Sequence, residues 1–179
     1  MAEVAENYVK TDVAAGLRRN AYTVWIAALG VVLIWVAAIV LTPVAKASGV
    51  GELSGYSYHF FSYICHQMPE RSFSVAGYQF AVCSRCFGVY FGLLAGIATY
   101  PLWRPIDETD SIPRFWLFLS LIPIAVDWSL TIFGIWENTF LSRFVTGALL
   151  GLACGVFIVP ALVEISRNLV FRPPKDLRT

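Results

Sequence analysis

Cys65 and His66 stand side by side in a polar stretch, and Cys83-Ser84-Arg85-Cys86 follows at the mouth of an apolar run, so four soft or borderline ligand groups fall within 22 residues. Three of the four cysteines and one of the two histidines of the chain lie here. Such groups at such spacing are the donor set of a metal site or the working thiols of a redox centre. Two thiols at i and i+3 can share one ion or close a disulfide, and a helix N-terminus with Arg85 beside it favours the thiolate that both need. Set opposite Cys65 and His66, the pair Cys83 and Cys86 would complete a Cys3His tetrahedron. Adjacent residues seldom ligate one ion together, so the other arrangement makes His66 an orienting neighbour, with His59 or a carboxylate as fourth ligand. Zinc is the expected cofactor, copper or iron a sub-case, and there is none if the cysteines are bridged.

Asp127 is the second position with chemistry. It interrupts an apolar run, where an ionised side chain costs about 2.5 to 3.5 kcal/mol on insertion scales and needs a partner or a task. Arg143, Arg71 and Arg85 are the cations within its expected reach. The structural expectation is an Asp–Arg clamp locking spans three and four; the functional one is proton handling or a place beside the metal. Cys154 reads as a small core residue.

The elements that position these groups are membrane helices. The chain is 58% hydrophobic and 14% charged, with a mean hydropathy of +0.66, whereas a soluble domain is roughly 25% charged. Four windows match the roughly 20 apolar residues that cross a hydrocarbon core: residues 22–43, 86–103, 115–135 and 140–163. The expected fold is all-α, a four-helix polytopic bundle over residues 21–165 with a long loop, 45–85, between helices one and two. Residues 1–20 read as a short amphipathic surface segment with Val9, Val13 and Leu17 at apolar spacing, and 166–179 as a tail. Ala45-Lys46-Ala47 resembles a signal cleavage site, but the apolar run before it exceeds a signal h-region and reads as a true membrane helix. Pro43 and Pro160 are expected near the ends of spans one and four. The segment 71–82 alternates around Ala76-Gly77, suggesting a hairpin or re-entrant turn that returns Cys65 and His66 towards Cys83 and Cys86.

Span two carries Gly88, Gly92 and Gly96, and span four Gly147, Gly151 and Gly155. Each set forms one smooth stripe where a second backbone can approach, expected to pack the two spans together, with a homodimer or larger complex as the other use. Nine Lys and Arg residues fall on one side of the four spans and four (Lys46, Arg71, Arg85, Arg143) on the other. By the positive-inside rule both termini are cytoplasmic and the Cys/His loop exoplasmic. The lipid bilayer is thus the expected partner, and a net charge of +1 gives no reason to propose nucleic acid.

Cys65-His66-Gln67, Pro69-Glu70-Arg71-Ser72-Phe73 and Cys83-Ser84-Arg85-Cys86 with Phe87-Gly88-Val89-Tyr90-Phe91-Gly92 resemble the signature of a domain-of-unknown-function family of small prokaryotic integral membrane proteins. Pro123 to Asp127 and Arg143-Phe144-Val145-Thr146-Gly147 resemble its second block, except that Asp127-Trp128 stands where Asp-Gly is expected. The resemblance covers roughly residues 60–155 and implies a multi-pass protein of the prokaryotic plasma membrane, without implying a reaction. A looser resemblance, in topology, is to quinone-coupled disulfide-forming membrane oxidoreductases, which use a second cysteine pair where this chain offers Cys65 alone.

The first functional expectation is therefore a metal-binding membrane protein with a structural or accessory role, on its own or as one subunit of a larger membrane assembly. Thiol-disulfide or quinone chemistry at Cys83 and Cys86, with Arg85 activating a thiol, is the enzyme reading. Transport with Asp127 as coupling carboxylate is the third; no inverted repeat accompanies it.

Overall fold

The computed structural model describes residues 2–110 and 112–170, with side chains from Ala14 onwards as far as Leu169. Six helices carry the fold: α1 (Ala2–Ala47), α2 (Gly51–Ser62), α3 (Ser84–Thr99), α4 (Phe115–Leu119), α5 (Ile122–Ile132) and α6 (Phe140–Val170). A two-stranded hairpin, β1 (Ser74–Val75) and β2 (Tyr78–Gln79), is the sheet among the described residues. The protein is an all-α membrane protein. Three runs are long and apolar enough to cross a bilayer by length and composition: Ala14–Ala47, Phe115–Ile132 and Phe140–Leu169. α3 is shorter, at 16 residues.

Several boundaries differ from the sequence expectation. Segment 1–20 is not a separate surface helix, because Ala2 onwards is continuous with the first span. The expected stop at Pro43 is passed, since it lies inside α1, and Pro160 lies inside α6, within the expected fourth span. A proline removes one ladder bond but leaves the rest of the helix intact when neighbouring groups satisfy the freed carbonyl. Beside Pro43 the Thr42 hydroxyl donates to the Ala38 carbonyl at 2.6 Å, within the preceding turn. The third apolar run is two helices, broken at Ser120-Leu121 just before Pro123. Of the expected tail, 166–170 continues α6 and 171–179 lies outside the described residues.

The centre of the fold is the α3–α6 pair. The two glycine stripes face each other with the helices running in the same direction: Gly88 meets the Phe144 carbonyl, Gly92 that of Ala148, and Gly96 that of Leu152. A Cβ on Gly96 would lie 2.5 Å from the Leu152 oxygen, and one on Gly155 2.7 Å from the Leu93 oxygen, so no side chain larger than hydrogen fits. α1 lies across this pair, tied by the Trp25 indole N–H to the Ile97 carbonyl at 2.7 Å and by the Asn20 amide to the Ser166 hydroxyl at 2.9 Å. Two apolar cores result. One gathers Ala21, Ile97, Tyr100, Ile106, Val159 and Val163; the other gathers Ile39, Phe61, Cys65, Phe80, Ala81 and Val82 under the loop that carries the cysteines.

Candidate metal centre

Three local devices bring the loop back over α3. α2 ends in a turn in which the Cys65 N–H donates to the Phe61 carbonyl at 2.9 Å, leaving the Cys65 side chain 6% exposed above the second core. The chain then reverses through β1 and β2, paired Ser74 with Gln79 and Val75 with Tyr78. Their two-residue turn, Ala76-Gly77, has positive φ at both positions (52° and 82°), which is the primed turn whose twist suits a tight hairpin. Gln67 fastens the assembly. Its backbone is left-handed at φ 51°, and its amide nitrogen donates to the carbonyls of Tyr58 and Ala81, both at 2.8 Å. Gln79 donates in turn to the Gln67 carbonyl at 2.9 Å.

Cys83 stands immediately before the first turn of α3 in an extended conformation. Its N–H, free of the helix ladder, donates to the Cys65 sulfur at 3.2 Å. One turn on, the Cys86 sulfur lies 3.4 Å from that of Cys83. All three sulfurs are within 4.8 Å of one another, and all three cysteines are free. Hydrogen bonds from the Cys83 and Cys86 thiols hold the Cys65 thiol far below its ordinary pKa, with backbone N–H groups of Cys83 and Gln67 adding to this against the opposing effect of burial. A sulfur surrounded by donors is stabilised as thiolate, the form that binds metals and attacks disulfides.

The histidines lie elsewhere. His66 is exposed and outside the three-sulfur cluster, though it lines the same pocket of about 350 Å³ together with Ile64, Gln67, Met68 and Arg71. His59 is exposed on α2 and shares a 3.0 Å hydrogen bond with the Tyr63 hydroxyl, away from the thiols. Cys154 is on α6 beside Gly155 and outside the three-sulfur cluster.

Asp127, 8% exposed on α5, accepts from the Arg85 guanidinium in an ion pair and, at 2.9 Å, from the Asn138 amide. The Asn138 carbonyl oxygen accepts from the Arg143 Nε–H at 2.7 Å. The Asp–Arg clamp therefore joins α5 to the start of α3, and Arg143 reaches Asp127 only through Asn138, rather than locking spans three and four directly. Arg71, on the 3-10 turn Pro69–Arg71, is exposed. Sequence reasoning gave no role to Asn138 and none beyond a motif match to Gln67. A lone amide in a polar loop has no periodicity to betray it, and the positive φ of Gln67 shows only in the fold.

Residues 65–157, which hold the three cysteines, the clamp and both glycine stripes, match the family described as Predicted membrane protein (DUF2085). The chain is 40% identical over 108 residues to the uncharacterized protein MJ1492 of Methanocaldococcus jannaschii, covering 60% of this chain and 69% of that one. It is 38% identical over 110 residues to an uncharacterized protein of Methanothermobacter thermautotrophicus, covering 62% of this chain and 93% of that one. No solved structure matches. With more than half of its length inside the matched region, the chain belongs to this family of predicted membrane proteins.

Proposed function

We propose that this membrane protein holds one metal ion, zinc by preference, through the thiolates of Cys65, Cys83 and Cys86. The mutual approach of the three sulfurs within 4.8 Å is the observation that carries the reading. Thiolates select soft and borderline ions, and a tetrahedral zinc site takes three of them readily. The fourth position opens on the pocket lined by His66, whose imidazole is of suitable chemistry. A cuprous or iron ion is the sub-case. The role is structural or accessory: the ion would fasten the 45–85 loop to the start of α3, where Gln67 and the hairpin already hold it. In this reading both termini are cytoplasmic in a prokaryotic plasma membrane, the thiols face outward, and the protein serves as a homodimer or as a subunit of a larger membrane complex.

Metal analysis of the purified full-length protein tests this. One ion per chain is expected, falling to a small fraction of that in Cys83→Ser. Protein that carries no stoichiometric metal overturns the reading.

A second reading rests on the 3.4 Å separation of the Cys83 and Cys86 sulfurs. In it the two thiols lose two electrons and two protons to a quinone-class acceptor, which becomes the quinol as the sulfur–sulfur bond forms. Mass spectrometry after alkylation separates the two readings, because a redox pair is recovered in both free and bridged forms whereas a zinc site stays reduced.

A further inference from the structure

Cys83 and Cys86 also form part of the wall of a second pocket, of about 250 Å³, which shares Arg71 and both cysteines with the pocket lined by His66. Its other lining includes Arg71, Arg85, Arg143, Asn138, Thr131 and Trp128. Three guanidinium groups thus converge from three separate elements: the 3-10 turn of the loop, the first turn of α3 and the first turn of α6. Gathering like charges has an electrostatic cost that an anion offsets, and Arg71 and Arg85 both repel the Arg143 guanidinium. Asp127 supplies a single carboxylate, already bonded to Arg85 and Asn138. Three positive charges against one negative leave a surplus of two. Thiolates wrapped around a divalent ion would add one net negative charge, and the surplus would still be one.

The donors are also unspent. Among the described residues Arg71 makes no side-chain hydrogen bond, Arg143 uses only its Nε–H, and the Nε–H of Arg85 is buried without a partner. Guanidinium forks on several sides suit an anion with several oxygens in three dimensions, which describes phosphate better than a planar carboxylate. We infer that this pocket binds a tetrahedral phosphate-class oxyanion, held by Arg71, Arg85 and Arg143 and presented beside the thiol cluster. The group has two possible sources, inorganic phosphate from the aqueous phase or the headgroup of an anionic phospholipid.

The test uses the full-length protein in lipid nanodiscs. In the first arm, in phosphatidylcholine alone, equilibrium dialysis measures binding of labelled inorganic phosphate. In the second, discs of equal parts phosphatidylglycerol and phosphatidylcholine are opened and native mass spectrometry counts the retained phosphatidylglycerol. About one anion per chain is expected in one arm, which identifies its source. Arg71→Gln and Arg143→Gln should each weaken binding by about tenfold or more, the effect of removing one charged hydrogen bond. Arg114→Gln, on the other side of the spans, should leave it unchanged. Arg71→Gln spares the fold, since that guanidinium has no hydrogen bond to lose. Stoichiometric binding in neither arm overturns the proposal, as does binding that both pocket variants retain in full. Binding that survives both variants but vanishes with Cys83→Ser belongs to the thiol cluster and equally overturns it. Because the arginine pocket does not depend on the metal reading, a metal-free protein that still binds the anion supports the proposal while removing the other.

Discussion

The α3–α6 seam and the attachment of α5 are joined in opposite ways. Along the seam, glycines let two backbones touch over about three turns, and the binding is dispersion and close packing spread along that length. α5 has many exposed apolar residues, Val126, Trp128 and Ile132 among them, and is fixed at one polar point by the chain Arg85, Asp127, Asn138, Arg143. A distributed contact resists any single loss of a side chain yet fails when one is added. A point contact tolerates bulk but fails when a charge is removed. Both arginines of the clamp lie at the start of the two seam helices, so the less buried helix is hung from the closely packed seam.

The largest effect should come from breaking the seam. Gly151→Leu drives a side chain into the Val89 carbonyl, and a loss of more than about 4 kcal/mol is expected, seen as little monodisperse protein and early unfolding in detergent titration. Gly30→Ala, where nothing lies within 4 Å of the added carbon, is the matched control and should be nearly silent. Next, Asp127→Ala leaves Arg85 without its buried counter-charge and should cost about 3 kcal/mol. Cysteine cross-linking should show α5 leaving α3 while the α3–α6 pair stays intact; loss of both together would erase the distinction drawn between them. The smallest effect belongs to Asn138→Ala, about 1 kcal/mol, because the direct ion pair survives and only the bridge to Arg143 is lost.

Periodic features were readable from the chain and non-periodic ones were not. The apolar windows announced α1 and α6, the glycine repeats announced a stripe on each of two helices, and Ala76-Gly77 announced the hairpin. Convergence of Cys65 with Cys83 and Cys86 followed from that hairpin, since a reversal between them leaves few places for the thiols to go. Pro43 misled because proline is read as a stop, whereas a helix in an apolar setting gains more by continuing than the missing bond costs. The break at Ser120-Leu121 lay inside an unbroken hydropathy signal. Arg85 was weighed as an activator of the thiols and as one of three cations for Asp127; choosing among the three requires knowing the rotation of α3, which hydropathy does not carry. His66 adjoined Cys65 in sequence, yet successive side chains diverge at a turn, and its ring ended on the rim.

The modest length of α3 has a bearing on where the thiols work. Sixteen helical residues reach about 24 Å, and the 3-10 turn Tyr100–Leu102 adds about 6 Å, so this element matches a hydrocarbon core of about 30 Å with nothing to spare. Since α3 is pinned to α6 glycine by glycine, it has no freedom to slide along its neighbour, and Cys86, in its first turn, keeps a fixed height relative to α6. In the proposed orientation bilayer thickness would then become a variable of the site: a thicker membrane would draw the sulfurs under the surface, and a thinner one would lift them clear of it.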